Sequence, residues 1–427
     1  MVVWPSGPRL QHIFSDTSLR PKIMDNASEA ICLDALEDEV LRVLPTPAWI
    51  HDFDAITRRI DRLTHTFLGM FAACHPAVPN ANSKVMGHIA GLVPFIDATS
   101  AQDVQRALSI GITPDRITWS GPGKRDSDLR ELAGRGVNIV VGAEDEIDCL
   151  AEIAKDLILP QPVLLSIGPS HAPKGFGPHL EGRPSLFGID QAAIPRALAW
   201  IRRARWLRLV GFHSRTEATS LSPSAIAENL ANLVRIFEDA SRLADIVPDK
   251  LIFSSGFGTS ANAGETALDI GVVRNLMADV LRNMKENPRL SKASRLLETG
   301  DWFTAPTTAL VTRVLSIRES RGVRIAVCDA DFGNHRATPV AMGSIVQAGE
   351  RPEAQADPGT TEETHEYLLQ DPQSTTSAVS RPSVQLPLLW RGDILVAVPM
   401  LGGSLRQPGL AEYALHAGQL RDISESQ

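Results

Sequence analysis

From about residue 48 the chain alternates short apolar, β-rich runs with amphipathic stretches of helical period. The runs are LGMFAACHPAV (68–78), LVPFIDAT (92–99), RITWSG (116–121), VNIVVGA (137–143), PVLLSIG (162–168), LRLVGFHS (207–214), KLIFSSGF (250–257) and RLLETG (295–300). Between them lie SAQDVQRALSIG, DSDLRELAGRG, EDEIDCLAEIAKDL and PSAIAENLANLVRIFEDASRLADI, several of which open on Ser, Asp or Glu and close on Gly, as helix caps prefer. Eight alternations over roughly 250 residues predict an α/β chain folded as a (β/α)8 TIM barrel. An open, doubly wound sheet has the same periodicity and is the competing architecture.

After residue 305 the pattern changes. ALVTRVLSIRESRGVRIAVCDA, VQLPLLWRGDILVAVPM and AEYALHAG read as strands joined by turns, with no long helix between them. They predict a C-terminal β-domain over 301–427. The stretch 351–382 is polar and rich in Pro, Thr and Ser, so it is expected to be a disordered insertion, and 1–27 a disordered tail.

Composition narrows the partners. A net charge of −8 disfavours nucleic acid and anionic membrane surfaces, and no apolar run is long enough to span a bilayer. Four cysteines without metal or disulfide spacing fit a reducing, cytoplasmic setting.

Catalytic groups of a barrel gather where its strands end. Those ends carry His75 and Asn80, then Asp97, Lys124, Ser166 and Ser170, His213 and Arg215, the Ser254–Gly258 turn, and Glu298 with Asp301. A polar residue at a strand end is ordinary, because the loops are solvated. The Ser-Ser-Gly-Phe-Gly turn offers backbone N–H groups to a phosphate, but its glycines also serve a tight turn without any ligand. No spacing points to a metal site or a serine-hydrolase elbow.

In order and content these segments resemble the pyridoxal-phosphate-dependent decarboxylases of the alanine-racemase fold, the group that acts on ornithine, arginine and diaminopimelate. TPAWIHDFDAITRRIDRL is similar to the family's opening strand and helix. IDATSAQDVQRALSIGITPDRITWSGPGK, with Asp97, Ser100 and Lys124, is similar to its second and third units, and GVNIVVGAEDEIDCLAEIA to its fourth. Ser185, Phe187, Gly188 and Ile189 in PSLFGID match a Ser-Lys/Arg-Phe-Gly-Ile run. ETGDWFTAPTTALVTRVL matches the Glu-Pro-Gly-Arg segment and the strand beyond, followed by Asp329 in VCDADFG and Asp393 in WRGDILV. The resemblance implies a barrel over 46–300, a β-domain that also takes a strand from 28–45, pyridoxal 5'-phosphate as cofactor, and an amino-acid-like ligand. It implies a homodimer, or a heterodimer with an active homologue.

It also implies cofactor contacts at Asp97, His213, Arg215, Ser255, Gly256, Phe257, Gly258, Glu298, Gly300 and Asp301, with Asp329 among the catalytic positions. The family's Schiff-base lysine falls at Asn80, or at Pro79, and neither side chain is nucleophilic. Lys84 is the possible substitute. The ring-stacking histidine falls at Arg215, a phosphate serine near Ala218, the triple-glycine turn at Ser254, Ser255 and Gly256, and the phosphate arginine at Asp301. Glu298 keeps the acid that pairs with the pyridine nitrogen. The expectation is a decarboxylase-like protein with an eroded cofactor site. An active decarboxylase of a specialised biosynthetic pathway and a barrel enzyme independent of the cofactor are the alternatives.

Overall fold

The computed structural model describes residues 31, 38–77, 82–171, 173–176, 185–216, 218–260, 266–330, 342–348, 364–372, 383–399 and 410–425. Eight parallel strands close into a barrel: β2 (Ala72–Ala77), β3 (Phe95–Ala98), β4 (Ile117–Trp119), β5 (Asn138–Val141), β6 (Gln161–Gly168), β8 (Leu207–His213), β9 (Lys250–Ser254) and β10 (Ser294–Glu298). The pairing of β5 with β6 seals the ring, and a two-residue strand, β7 (Ile189–Asp190), is added beside β6. The open sheet is thereby excluded.

Helices α3 (Ser83–Ala90), α4 (Ala101–Ser109), α5 (Asp126–Ala133), α6 (Glu144–Leu157), α7 (Ile194–Arg203), α8 (Pro223–Ala244), α9 (Ile270–Leu276) and α10 (Ala278–Glu286) connect successive strands. Helix α2 (Phe53–Thr66) precedes the first barrel strand and packs between α3 and α9. Asp52, Asn82, Ser100, Ser222 and Asp269 cap α2, α3, α4, α8 and α9 through their side chains. None of the described helices is long and apolar enough to cross a membrane.

The second domain is a mixed sheet that departs from expectation at its start. Residues 38–43 form a helix, α1 (Asp38–Val43), instead of a strand, with Leu41 and Leu44 buried at helical spacing. The strand lies further on, at β1 (Ala48–Asp52), which pairs antiparallel with β11 (Thr308–Ser320) and parallel with β17 (Ala411–His416). It belongs to the β-domain, so the barrel unit starts at α2 and not at residue 46. The other strands are β12 (Val323–Cys328), β13 (Met342–Ala348), β14 (Thr364–Gln370), β15 (Ser383–Pro387), β16 (Ile394–Pro399) and β18 (Gln419–Asp422).

Strand β14 corrects the expected insertion. It runs parallel to β12 and antiparallel to β15, with Tyr367 fully buried and its hydroxyl accepting the Leu389 N–H at 3.0 Å. HEYLLQ carries a short local alternation, Tyr367 and Leu369 inward, that the polar composition of the whole segment conceals. Residues 351–363 and 373–382, like the tail at 1–27, lie outside the described residues.

Candidate active site at the barrel mouth

Side chains alternate along each barrel strand, and that period builds the site in layers. Cys74, Val140, Leu164, Val210, Ile252 and Leu296 fill an apolar layer with Ala72 and Phe95. Two residues on from Phe95, Leu164 and Leu296 stand Asp97, Ser166 and Glu298, and His213 ends β8 opposite Ser166. All four are buried. A polar layer therefore lies on the apolar floor, at the end of the barrel where the strands terminate.

Each member of this layer is held by a neighbour. Thr118 Oγ1 donates to Asp97 Oδ1 at 2.6 Å, and Ser120 Oγ donates to Oδ2. Ser166 Oγ lies 3.1 Å from His213 Nδ1. Burial pushes the Asp97 carboxyl up, and the Glu298 charge adds to that, against His213 and the two hydroxyl donors. For Glu298 burial acts upward as well, but His213, Arg215 and His75 together prevail and hold it below the usual carboxylate range. His75, packed against Phe303, is pushed down to about 4 by burial, against the opposing pull of Glu298.

Arg215 stands just beyond β8. Its guanidinium lies over the Phe187 ring at 4.9 Å, and its Nη1 is buried without a hydrogen-bond partner among the described residues. Phe187 owes its place to Gly188, which has φ +81 and passes so near β6 that a Cβ would lie 2.7 Å from Gly168 N. Asp301, in the one-turn helix Gly300–Phe303, is pushed up to about 7 by burial and by Glu298, with Arg215 opposing. The unopposed negative charge expected at this position is thus a carboxyl that is about half protonated near neutrality.

The lysines are placed elsewhere. Lys84 is exposed on α3, so it does not enter the mouth, and Asn80 and Pro79 lie outside the described residues. Lys124 is buried at the mouth, but its Nζ donates to Gly121 O at 2.8 Å and to Glu146 Oε1 at 3.0 Å. Burial lowers its pKa, against Glu146. Asp329 is not part of this site. It sits in the β-domain and accepts from Thr46 Oγ1, Thr312 Oγ1 and the Arg313 N–H.

The turn after β9 is held by hydrogen bonds to itself and to two neighbouring segments. Ser255 N–H donates to Glu298 O at 2.9 Å, Phe257 N–H to Ser255 Oγ at 3.2 Å, and Gly258 N–H to Ser220 O at 2.9 Å. Gly256 has φ +66, and a Cβ there would meet the Phe176 ring at 2.3 Å. The aromatic ring therefore packs directly against the Gly256 backbone. Sequence reasoning missed Phe176, which comes from a short turn with no local pattern to announce it. It also missed Thr118 and Ser120, whose alternation at a strand end beside Asp97 was the available signal.

With this geometry in place, comparison with known proteins defines the class. Residues 53–305 match the family model described as "Pyridoxal-dependent decarboxylase, pyridoxal binding domain". The chain belongs to that family, whose cofactor is pyridoxal phosphate. It is 23% identical over 369 residues to the L-glutamyl-(BtrI acyl-carrier protein) decarboxylase of Niallia circulans, covering 81% of this chain and 84% of that one. It is 27% identical over 318 residues to a diaminopimelate decarboxylase of Methanothermobacter thermautotrophicus, covering 72% of each. The crystal structure of Helicobacter pylori diaminopimelate decarboxylase complexed with L-lysine superposes with a TM-score of 0.74 at 20% identity, over 90% of this chain and 95% of that one. At that identity the likeness concerns the fold.

The mouth fits the family cofactor poorly. Glu298 suits a pyridine nitrogen, but the Ser255, Phe257 and Gly258 amides of the turn are engaged within the chain, and the Phe176 ring packs against Gly256. Asp301 offers a carboxyl to an anion, and no free amine enters the mouth among the described residues.

Proposed function

We propose that the chain is a decarboxylase-like protein that has lost aldimine chemistry and serves as a non-catalytic or regulatory homologue, with an amino-acid-like small molecule as its ligand. The Phe176 ring against Gly256 carries this reading, because a phosphate dianion needs the space and the amides that this contact and its neighbours occupy. Arg215 in place of a stacking imidazole supports it: a cation resting on Phe187 is poorly suited to lie over an electron-poor pyridinium ring. The test is to incubate the purified protein with pyridoxal phosphate, dialyse it, and reduce it with borohydride. No aldimine absorbance and no labelled lysine are expected.

The names of the sequence relatives favour a second reading, an active decarboxylase. Among the described residues, the one lysine amine buried at the mouth is that of Lys124. A stoichiometric adduct mapped to Lys124 by peptide analysis would establish that reading and overturn the first.

A further inference from the structure

Asp97, His213 and Glu298 come from three different strands, and each contributes a donor atom within 4.8 Å of the others. Two of these groups, His213 Nε2 and Glu298 Oε2, are buried without a hydrogen-bond partner among the described residues and stand 3.8 Å apart. A shared proton would draw such a pair to about 2.7–2.9 Å. Two ligands of one tetrahedral ion, each bound at about 2.0–2.1 Å, sit roughly 3.3 Å apart. We propose that Asp97, His213 and Glu298 bind one divalent transition-metal ion at the barrel mouth.

The surroundings of the three side chains agree with this. Metal-bound imidazoles normally donate their second ring N–H to a fixed acceptor, and ligating carboxylates are themselves hydrogen-bonded. With the proton on Nδ1, His213 donates to Ser166 Oγ and presents the Nε2 lone pair to the mouth. Thr118 and Ser120 hold Asp97 in the same manner.

One imidazole and two carboxylates suit Zn²⁺, Mn²⁺, Fe²⁺ or Co²⁺ better than soft or purely oxygen-seeking ions. Three protein ligands leave at least one coordination position open. The buried, unpartnered Nη1 of Arg215 belongs to the same charged group, so the ligand class is a small carboxylate held by both the ion and the guanidinium. The inference rests on the reading that pyridoxal phosphate does not fill the mouth, because Glu298 cannot serve a pyridine nitrogen and an ion together.

The experiment uses the full chain, stripped with a chelator and titrated with Zn²⁺ by calorimetry and with Co²⁺ by visible absorption. One equivalent should bind, with Co²⁺ d–d bands. His213→Ala and Glu298→Gln should each weaken binding by more than about 100-fold, and Ser166→Ala by about 10–100-fold with unchanged circular dichroism. His171→Ala, at an exposed histidine, should have no effect. Absence of binding, or binding indifferent to His213→Ala, Glu298→Gln and Ser166→Ala, overturns the site. Borohydride reduction of the same preparation separates the two readings. A lysine adduct of pyridoxal phosphate removes both; no adduct and no metal removes only the ion.

Discussion

His213 Nε2 faces Glu298 Oε2 across 3.8 Å, and among the described residues neither atom has a hydrogen-bond partner although both side chains are buried. In this arrangement burial opposes the Glu298 charge, but His213 and Arg215 outweigh it. The arrangement persists because β8 and β10 are fixed by their ladders, while Ser166 holds the imidazole on its other side. The polar layer is thus set by barrel geometry, and its shape is that of a binding site with a poorly satisfied centre.

The carboxyls of this layer give the protein opposing responses to pH. Asp301 is raised to about 7, so between its unfolded value near 4 and about 7 the folded state holds a proton that the unfolded state has released. Stability therefore falls as pH rises through that window. Glu298 is shifted downward, so its contribution is present above its unfolded pKa and is lost as pH falls through the folded one. Above pH 7 Asp301→Asn should be more stable than the parent by at most about 4 kcal/mol and melt at a higher temperature, and the difference should vanish below about pH 4. Thermal denaturation across this range checks it; a difference independent of pH would contradict the assignment.

Gly256→Ala should be destabilising by roughly 2–5 kcal/mol, combining left-handed backbone strain with overpacking against Phe176. If the ring is the obstacle, Gly256→Ala should cost less in a Phe176→Ala background. Urea denaturation of the four proteins of this cycle should give a coupling of about 0.5–3 kcal/mol. Additive losses would show that the ring and the glycine do not meet.

How far the site could be read from sequence depends on how each residue reaches it. Asp97, His213 and Glu298 end strands, and strand ends were legible because the eight apolar runs were. Their convergence was not legible: positions 97, 213 and 298 have no motif spacing, and only ring closure makes them neighbours. Phe176 was invisible for the same reason, its contact with Gly256 being a tertiary accident of a short turn. Lys84 was a candidate only because four residues separate it from Asn80; helix α3 places it in solvent. Strand β14 was missed where the polar composition of 351–382 masked a local period, and helix α1 because the strand expected over 28–45 came from the family resemblance and not from the local pattern.

Tyr367 tests the correction at β14. Tyr367→Phe removes the hydroxyl that accepts the Leu389 N–H and leaves a buried donor unpaired. A loss of about 1–3 kcal/mol is expected by chemical denaturation. No measurable change would mean that residues 364–370 contribute little to the β-domain, as their polar surroundings first implied.

An amine added at position 80 is not expected to bring in the cofactor. Asn80→Lys supplies a nucleophile at the position that the resemblance implies for the family's lysine, and it leaves Phe176, the turn after β9 and Asp301 unchanged. Phe176 still covers Gly256, the Ser255, Phe257 and Gly258 amides remain engaged, and Asp301 still offers a carboxyl to an anion. An aldimine alone is reversible in water, so without phosphate contacts the cofactor is lost on dialysis. Asn80→Lys is therefore expected to show aldimine absorbance only in excess pyridoxal phosphate and to lose it when the excess is removed. Adding Phe176→Ala and Asp301→Arg exposes the turn and supplies a guanidinium that can pair with phosphate in bidentate fashion. The triple variant should retain a measurable fraction of borohydride-reducible label. Stoichiometric retention by Asn80→Lys alone would show that the phosphate end still works, and that one residue separates this chain from an active relative.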